Sequence, residues 1–173
     1  MCQSAWRKTN EMGSNSMTIQ TNYKSEKITV DKNNDDVYFF VADDGNKVWV
    51  NGDGEVLKIV LCRITLVTNV SGSSKIAPKC GNCGAWIQHW GNFTKAEHNT
   101  CRVHFCETDE TKDRISVPCS SKKELCGAHV ELADVSGWFV VPMCGHHNGK
   151  HGEELTLQAD SVLIRAKQSL MCD

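Results

Sequence analysis

No stretch of this sequence approaches the roughly twenty consecutive apolar residues of a membrane-spanning helix, so no membrane partner is expected. The opening MCQSAWRKTNEMGSNS lacks the apolar core of a secretory signal, which points to an intracellular setting, cytoplasmic or nuclear. Only three prolines interrupt the 173 residues and 40% of them are apolar. Most of the chain should therefore fold, as one ordinary domain or two small ones. Charge of one sign is also scarce: the formal net charge is −2, which gives no general pull towards a polyanion and leaves only a local basic patch for nucleic acid. No repeat unit occurs, and no helix longer than about ten residues is clearly written. His-Glu-x2-His is missing, as is His-x-Glu with Pro-Cys-x2-Cys, which removes two familiar forms of zinc catalysis.

What the sequence has in quantity is cysteine. There are ten: Cys2, Cys62, Cys80, Cys83, Cys101, Cys106, Cys119, Cys126, Cys144 and Cys172. A disulfide framework needs an oxidising compartment. Close Cys/His pairs in an intracellular chain point instead to metal. Cys2, Cys62 and Cys172 lack ligand-like spacing and read as free thiols. The acceptor-like triplets at Asn69 and Asn92 matter only in a secreted chain.

Three parts follow from the patterning. Residues 1–20 are polar and aperiodic and read as a disordered or loosely ordered tail, with Trp6 as its one anchor. Residues 21–72 form a β-rich module. Its runs KITV, DVYFFVAD, KVWV and EVLKIVLCRITLVTNV are β-branched and aromatic, and DDGN and NGDG between them are turn signals. Three or four antiparallel strands are expected there, the longest from about Val56 to Val70. Residues 73–173 form a Cys/His-rich zinc-binding domain. In it CRVHFC reads as a strand or knuckle, ETDETKDR as a solvated insertion, and EELTLQ and SVLIRA as closing strands. The fold class is α+β.

Zinc prefers four tetrahedral ligands, and two of them at i and i+3 come naturally from one turn. Cys80-Gly-Asn-Cys83 is the strongest such signal, with Gly81 and Gly84 letting the backbone curl around the sulfurs. Cys144-x2-His147 and Cys126-x2-His129 have the same spacing, and Cys101-x4-Cys106 is looser. These eight residues are enough for one or two structural Zn2+ ions. One grouping joins Cys80 and Cys83 to Cys144 and His147, leaving Cys101, Cys106, Cys126 and His129. Another joins Cys101 and Cys106 to Cys144 and His147, and sends Cys80 and Cys83 to Cys119, Cys126 or His89. Spacing does not choose between them. His129 reads equally as a core histidine, His146 as exposed, and His151 as a neighbour of His147 or a solvated side chain.

The segments GAHV and WFVVPMCGHHNGKH, within residues 126–152, resemble the ββα-metal core of HNH-type endonucleases, a treble-clef zinc-finger arrangement. The resemblance implies a treble-clef-like ββα domain, with His129 as general base and Asn148 as a ligand of a catalytic Mg2+ or Mn2+. The family usually has Asp or His just before the strand histidine, and this chain has Ala128. A single carboxamide does not hold Mg2+, which takes several oxygen ligands. Glu131, two residues along the strand and so on the face of His129, is the best replacement.

Trp86, Trp90 and Phe93 fall at i, i+4 and i+7, one face of a helix. They read as packing over the zinc knuckle, or as a base-stacking or peptide-docking platform. Trp138 reads as core. The expected function is recognition of a partner macromolecule, protein or nucleic acid, by a zinc-stabilised HNH-like protein. The alternatives are a metal-dependent nuclease that uses His129, and a structural subunit of an oligomer.

Overall fold

A computed structural model describes residues 26–28, 37–71, 77–80, 83–95, 100–104 and 118–167. The polar tail, Trp6, Cys106 and the ETDETKDR insertion lie outside these residues, as do Cys2 and Cys172. Nine strands form one antiparallel sheet in the order β1-β2-β3-β4-β9-β7-β6-β5-β8. The strands are β1 (Glu26–Ile28), β2 (Val37–Val41), β3 (Lys47–Asn51), β4 (Val56–Val60), β5 (Thr65–Asn69), β6 (Cys126–Leu132), β7 (Val135–Met143), β8 (Glu154–Leu157) and β9 (Val162–Arg165). Two helices accompany them, α1 (Trp86–Thr94) and the four-residue α2 (Gly145–Asn148).

The two turn signals act as written. Asp44 accepts hydrogen bonds from the backbone and side-chain amides of Asn46 at 3.0 and 2.7 Å, closing the β2–β3 turn. Asn51 Oδ1 takes the Glu55 amide at 2.8 Å and closes β3–β4. The expected long strand from Val56 to Val70 is a correction: it divides into β4 and β5. At the break, the Cys62 amide bonds to Asn46 Oδ1 at 2.9 Å, and Leu61 exchanges backbone bonds with Ser161 and Asp160. The chain thus leaves one side of the sheet, and β5 re-enters on the other, between β6 and β8. With β1 the N-terminal strands number five, one more than the most that the patterning suggested.

Strands from both sequence halves therefore interleave. β4 pairs with β9, and β5 pairs with β6 and β8, so the sheet is continuous across the boundary near residue 72. The main core lies on one face and draws Phe40, Val48, Ile59, Val67, Phe139 and Leu157 from both halves. Strand alternation sends neighbouring residues to the opposite face. Phe139, Val141 and Leu163 join the main core, whereas Val140 and Ile164 pack under Trp86 and Trp90 of α1. Trp90 Nε1 donates to the Val162 carbonyl at 2.8 Å and pins the helix to β9.

The N-terminal turn of α1 sits directly on β6. A Cβ at Gly127 would lie 2.6 Å from the carbonyl carbon of Trp86. Only glycine admits the helix backbone at this distance. Gly137 combines φ +90° with a place against the Arg165 guanidinium, and it sits early in β7, where the hairpin leaves its turn.

Candidate metal centre

β7 stays buried through Pro142 and Met143 and delivers Cys144, itself part of the main core, directly after its end. Cys144 is extended, with ψ 160°, and α2 begins at the next residue. One turn of helix returns His147 beneath Cys144, with Cys144 Sγ and His147 Nδ1 3.2 Å apart. The other two members come from segments with no sequence relation to that turn. Cys119 donates its amide to the Val103 carbonyl at 2.8 Å, and Cys101 to the Ser121 carbonyl at 2.9 Å. This pairing lays residues 101–103 beside 119–121 and sets Cys101 next to Cys119. Gln158 locks the first segment, donating Nε2 to the carbonyls of Cys101 and Val103 at 2.9 and 3.1 Å.

Cys101, Cys119, Cys144 and His147 thus converge, with ligand atoms all within 4.8 Å of one another and every side chain buried. Cys101 Sγ lies 3.4 Å from His147 Nδ1. Burial pushes the Cys101 thiol well above the ordinary range, and the sulfurs of Cys144 and Cys119 add to the shift. Hydrogen bonds from the Val103 and Cys144 backbones to its sulfur act the other way. Three buried thiols do not ionise together without a cation, and amides aimed at sulfur stabilise thiolate. Three thiolates and an imidazole at these separations suit tetrahedral zinc, with all four positions filled by protein.

Asn69 holds this turn in place and was missed by sequence reasoning, which met it only as an acceptor-like triplet. It is fully buried at the end of β5, which is no place for a glycan. Its Nδ2 donates to the carbonyls of His147, Asn148 and Lys150 at 3.3, 2.9 and 3.0 Å. The Asn148 carbonyl is one that a four-residue helix leaves over, and those of His147 and Lys150 also accept from the amides of Lys150 and Glu153. The available signal was a carboxamide ending an apolar strand.

A second cluster joins Cys80, Cys83 and His89, all buried. The two sulfurs are 3.3 Å apart, and Asn92 Nδ2 lies 3.3 Å from Cys83 Sγ. His89 comes from the middle of α1, edge-on to Trp86 and stacked on Phe93. Cys80 is disulfide-bonded, whereas Cys62, Cys83, Cys101, Cys119, Cys126 and Cys144 are not. A sulfur in a disulfide is no ligand for zinc, so this cluster is complete only in the reduced protein.

Among the described residues the clusters depart from the first sequence grouping and follow the second, apart from the place of Cys119, while Cys106 lies outside the described residues. Cys101, Cys144 and His147 meet, with Cys119 beside them, and Cys80 and Cys83 meet His89. Cys126 and His129 belong to no such cluster among the described residues. Cys126 is half-buried and donates to the Met143 carbonyl at 3.3 Å. His129 is buried between Trp86 and Trp138, with ring centroids 5.0 and 6.0 Å away and no hydrogen-bond partner for Nε2. Glu131 is exposed and accepts from Trp138 Nε1 at 2.7 Å, so the indole of Trp138 reaches out of the core. Asn148 lends its carbonyl to Asn69. His146 is exposed and edge-on to His147, and His151 is exposed. Trp86 and Trp90 are 7% and 3% exposed, which corrects the expectation of a stacking platform: their faces are spent on the sheet.

Burial alone lowers the His129 pKa from 6.5 to about 4. Between those values the unfolded chain binds a proton that the folded one refuses. Stability from the neutral ring is complete above pH 6.5 and is lost as the pH falls through the window to 4, in total about 3 kcal/mol. In urea titrations from pH 7 to pH 4.5, the parent should therefore lose stability relative to His129→Leu as the pH falls. Acid release of metal affects both proteins and cancels in the comparison. Parallel curves would remove His129 as the source.

No helix among the described residues is long and apolar enough to cross a membrane. Comparison with known families, with curated proteins and with solved structures gives no match to this chain.

Proposed function

We propose that this chain is a zinc-stabilised recognition protein, with its HNH-like hairpin and turn serving as scaffold rather than as a nuclease centre. The observation that carries this reading is the buried Cys101, Cys119, Cys144 and His147 set, in which protein groups supply every position of a tetrahedral ion. Sites of that kind are structural, because catalytic zinc keeps a position open. The local chemistry agrees. His129 is enclosed by Trp86 and Trp138, Ala128 offers no donor, and Glu131 already serves the Trp138 indole.

The partner we favour is a protein segment that is apolar and basic. Ile64 and Leu66 are 47% and 53% exposed, the latter on β5. Leu66 borders a cleft of about 130 Å3 whose walls include Ala42, Leu132 and Val135, with Asp44 and Asp134 at its polar side. A cavity of roughly 150 Å3 takes up benzene, so one large apolar side chain fits here, and the carboxylates suit a neighbouring cation. Random-peptide display against the zinc-loaded protein should enrich apolar sequences carrying Lys or Arg, and Leu66→Lys should abolish the enrichment. Binding that survives Leu66→Lys would overturn the assignment.

The nuclease reading is favoured by one observation, the succession of β6, β7 and α2 with His129 neutral on the first strand. Plasmid DNA incubated with the protein and Mg2+ or Mn2+ separates the two. No cleavage is expected, and cleavage lost in His129→Leu would reverse the order of the readings.

A further inference from the structure

We infer that in the reduced protein, with the Cys80 disulfide opened, Cys80, Cys83 and His89 form a second zinc centre, separate from the first, which ties α1 to the knuckle before it. His89 is enclosed in the middle of α1. Its ring is 0% exposed, and neither nitrogen has a hydrogen-bond partner. Buried polar atoms are nearly always satisfied, so two idle nitrogens on one enclosed imidazole point to a partner of another kind. The ligand atom of His89 lies within 4.8 Å of both sulfurs. The Cys83 amide bonds to the Cys80 carbonyl at 3.1 Å, the turn that brings an i, i+3 sulfur pair to one side. The Asn92 carboxamide donates to Cys83 Sγ at 3.3 Å, an outer contact that suits a thiolate bound to metal.

Two thiolates and an imidazole are a borderline-soft donor set, suited to zinc and unsuited to Mg2+ or Ca2+. A water or one further donor completes the tetrahedron. Because His89 sits in the middle of α1, the ion joins the helix to Cys80 and Cys83, on the face of the sheet opposite the main core. The inference stands independently of the recognition reading.

The test uses full-length protein, purified reduced and without added metal, and counts zinc by native mass spectrometry. Two ions are expected in the parent and one in His89→Gln. Cys144→Ser should lose the other ion, so failure at either centre is read separately. One zinc in the parent, or two in a folded His89→Gln, would overturn the inference. Should His89→Gln not fold, cadmium NMR of the parent decides: two resonances are expected, the one at lower frequency from the centre with fewer thiolates, and a single resonance would overturn it.

Discussion

Cys144→Ser should purify with one zinc fewer than the parent and with a strongly weakened unfolding transition. Cys144 is the hinge of its centre. It joins the end of β7 to the start of α2 and lies 3.2 Å from the ring nitrogen of His147. Structural zinc in small finger domains contributes roughly 10–16 kcal/mol of apparent binding free energy, coupled to folding. That is comparable with the whole stability of a typical domain, about 5–15 kcal/mol. Without the ion, Cys101, Cys119 and His147 remain buried and polar, with no cation to balance the thiolates. Chelation of the parent should have the same effect, seen as loss of the near-ultraviolet signal of the packed Trp86 and Trp90. Cys126→Ser is the control, since Cys126 donates to the Met143 carbonyl and belongs to neither ligand cluster among the described residues; it should keep both the zinc and the transition. An unchanged metal count in Cys144→Ser, or a lost ion in Cys126→Ser, would show that the ligands are wrongly grouped.

Phe139→Ala should cost about 3–5 kcal/mol, lowering the melting temperature of the zinc-loaded protein by roughly 6–20 °C at the scaling of a chain this size. Phe139 is 0% exposed. It is paired with Val130 on β6 and with Arg165 on β9, so a cavity here opens where three strands and the main core meet. The Arg165 guanidinium lies 5.4 Å from the ring centroid, and a cation–π contact is lost with the ring. Phe39→Ala offers the contrast: Phe39 is half-buried against Trp49 on β2, and its loss should cost about 1 kcal/mol. Equal effects at the two sites would mean that the core is not centred on β7.

Much of the local structure was legible because local chemistry dictates it. DDGN and NGDG close turns through Asp44 and Asn51 in contacts that span four residues at most. Trp86, Trp90 and Phe93 share a helical face because helical periodicity places them there. Which surface that face meets was not legible, and neither was the division of the long apolar run at Cys62, where the decisive acceptor, Asn46, lies sixteen residues away. The candidate site divides in the same way. The i, i+3 pairs Cys80–Cys83 and Cys144–His147 were readable as pairs, since one turn makes each. Cys119 was legible only as one possible partner of Cys80 and Cys83, because its neighbour Cys101 is reached through backbone pairing of residues 101–103 with 119–121.

By itself, then, the sequence determined an α+β chain rich in short antiparallel strands, with turns at known places and thiol and imidazole pairs suited to zinc. These are matters of propensity and of spacing within a turn, and they need no knowledge of the rest of the molecule. The tertiary structure alone decided that both halves share one sheet, that Cys101 and Cys119 join Cys144 and His147, that His129 is enclosed by indoles, and that Asn69 secures the ligand turn. Each of those depends on segments tens of residues apart meeting across the sheet, where strand pairing and core packing, rather than local preference, set the distances.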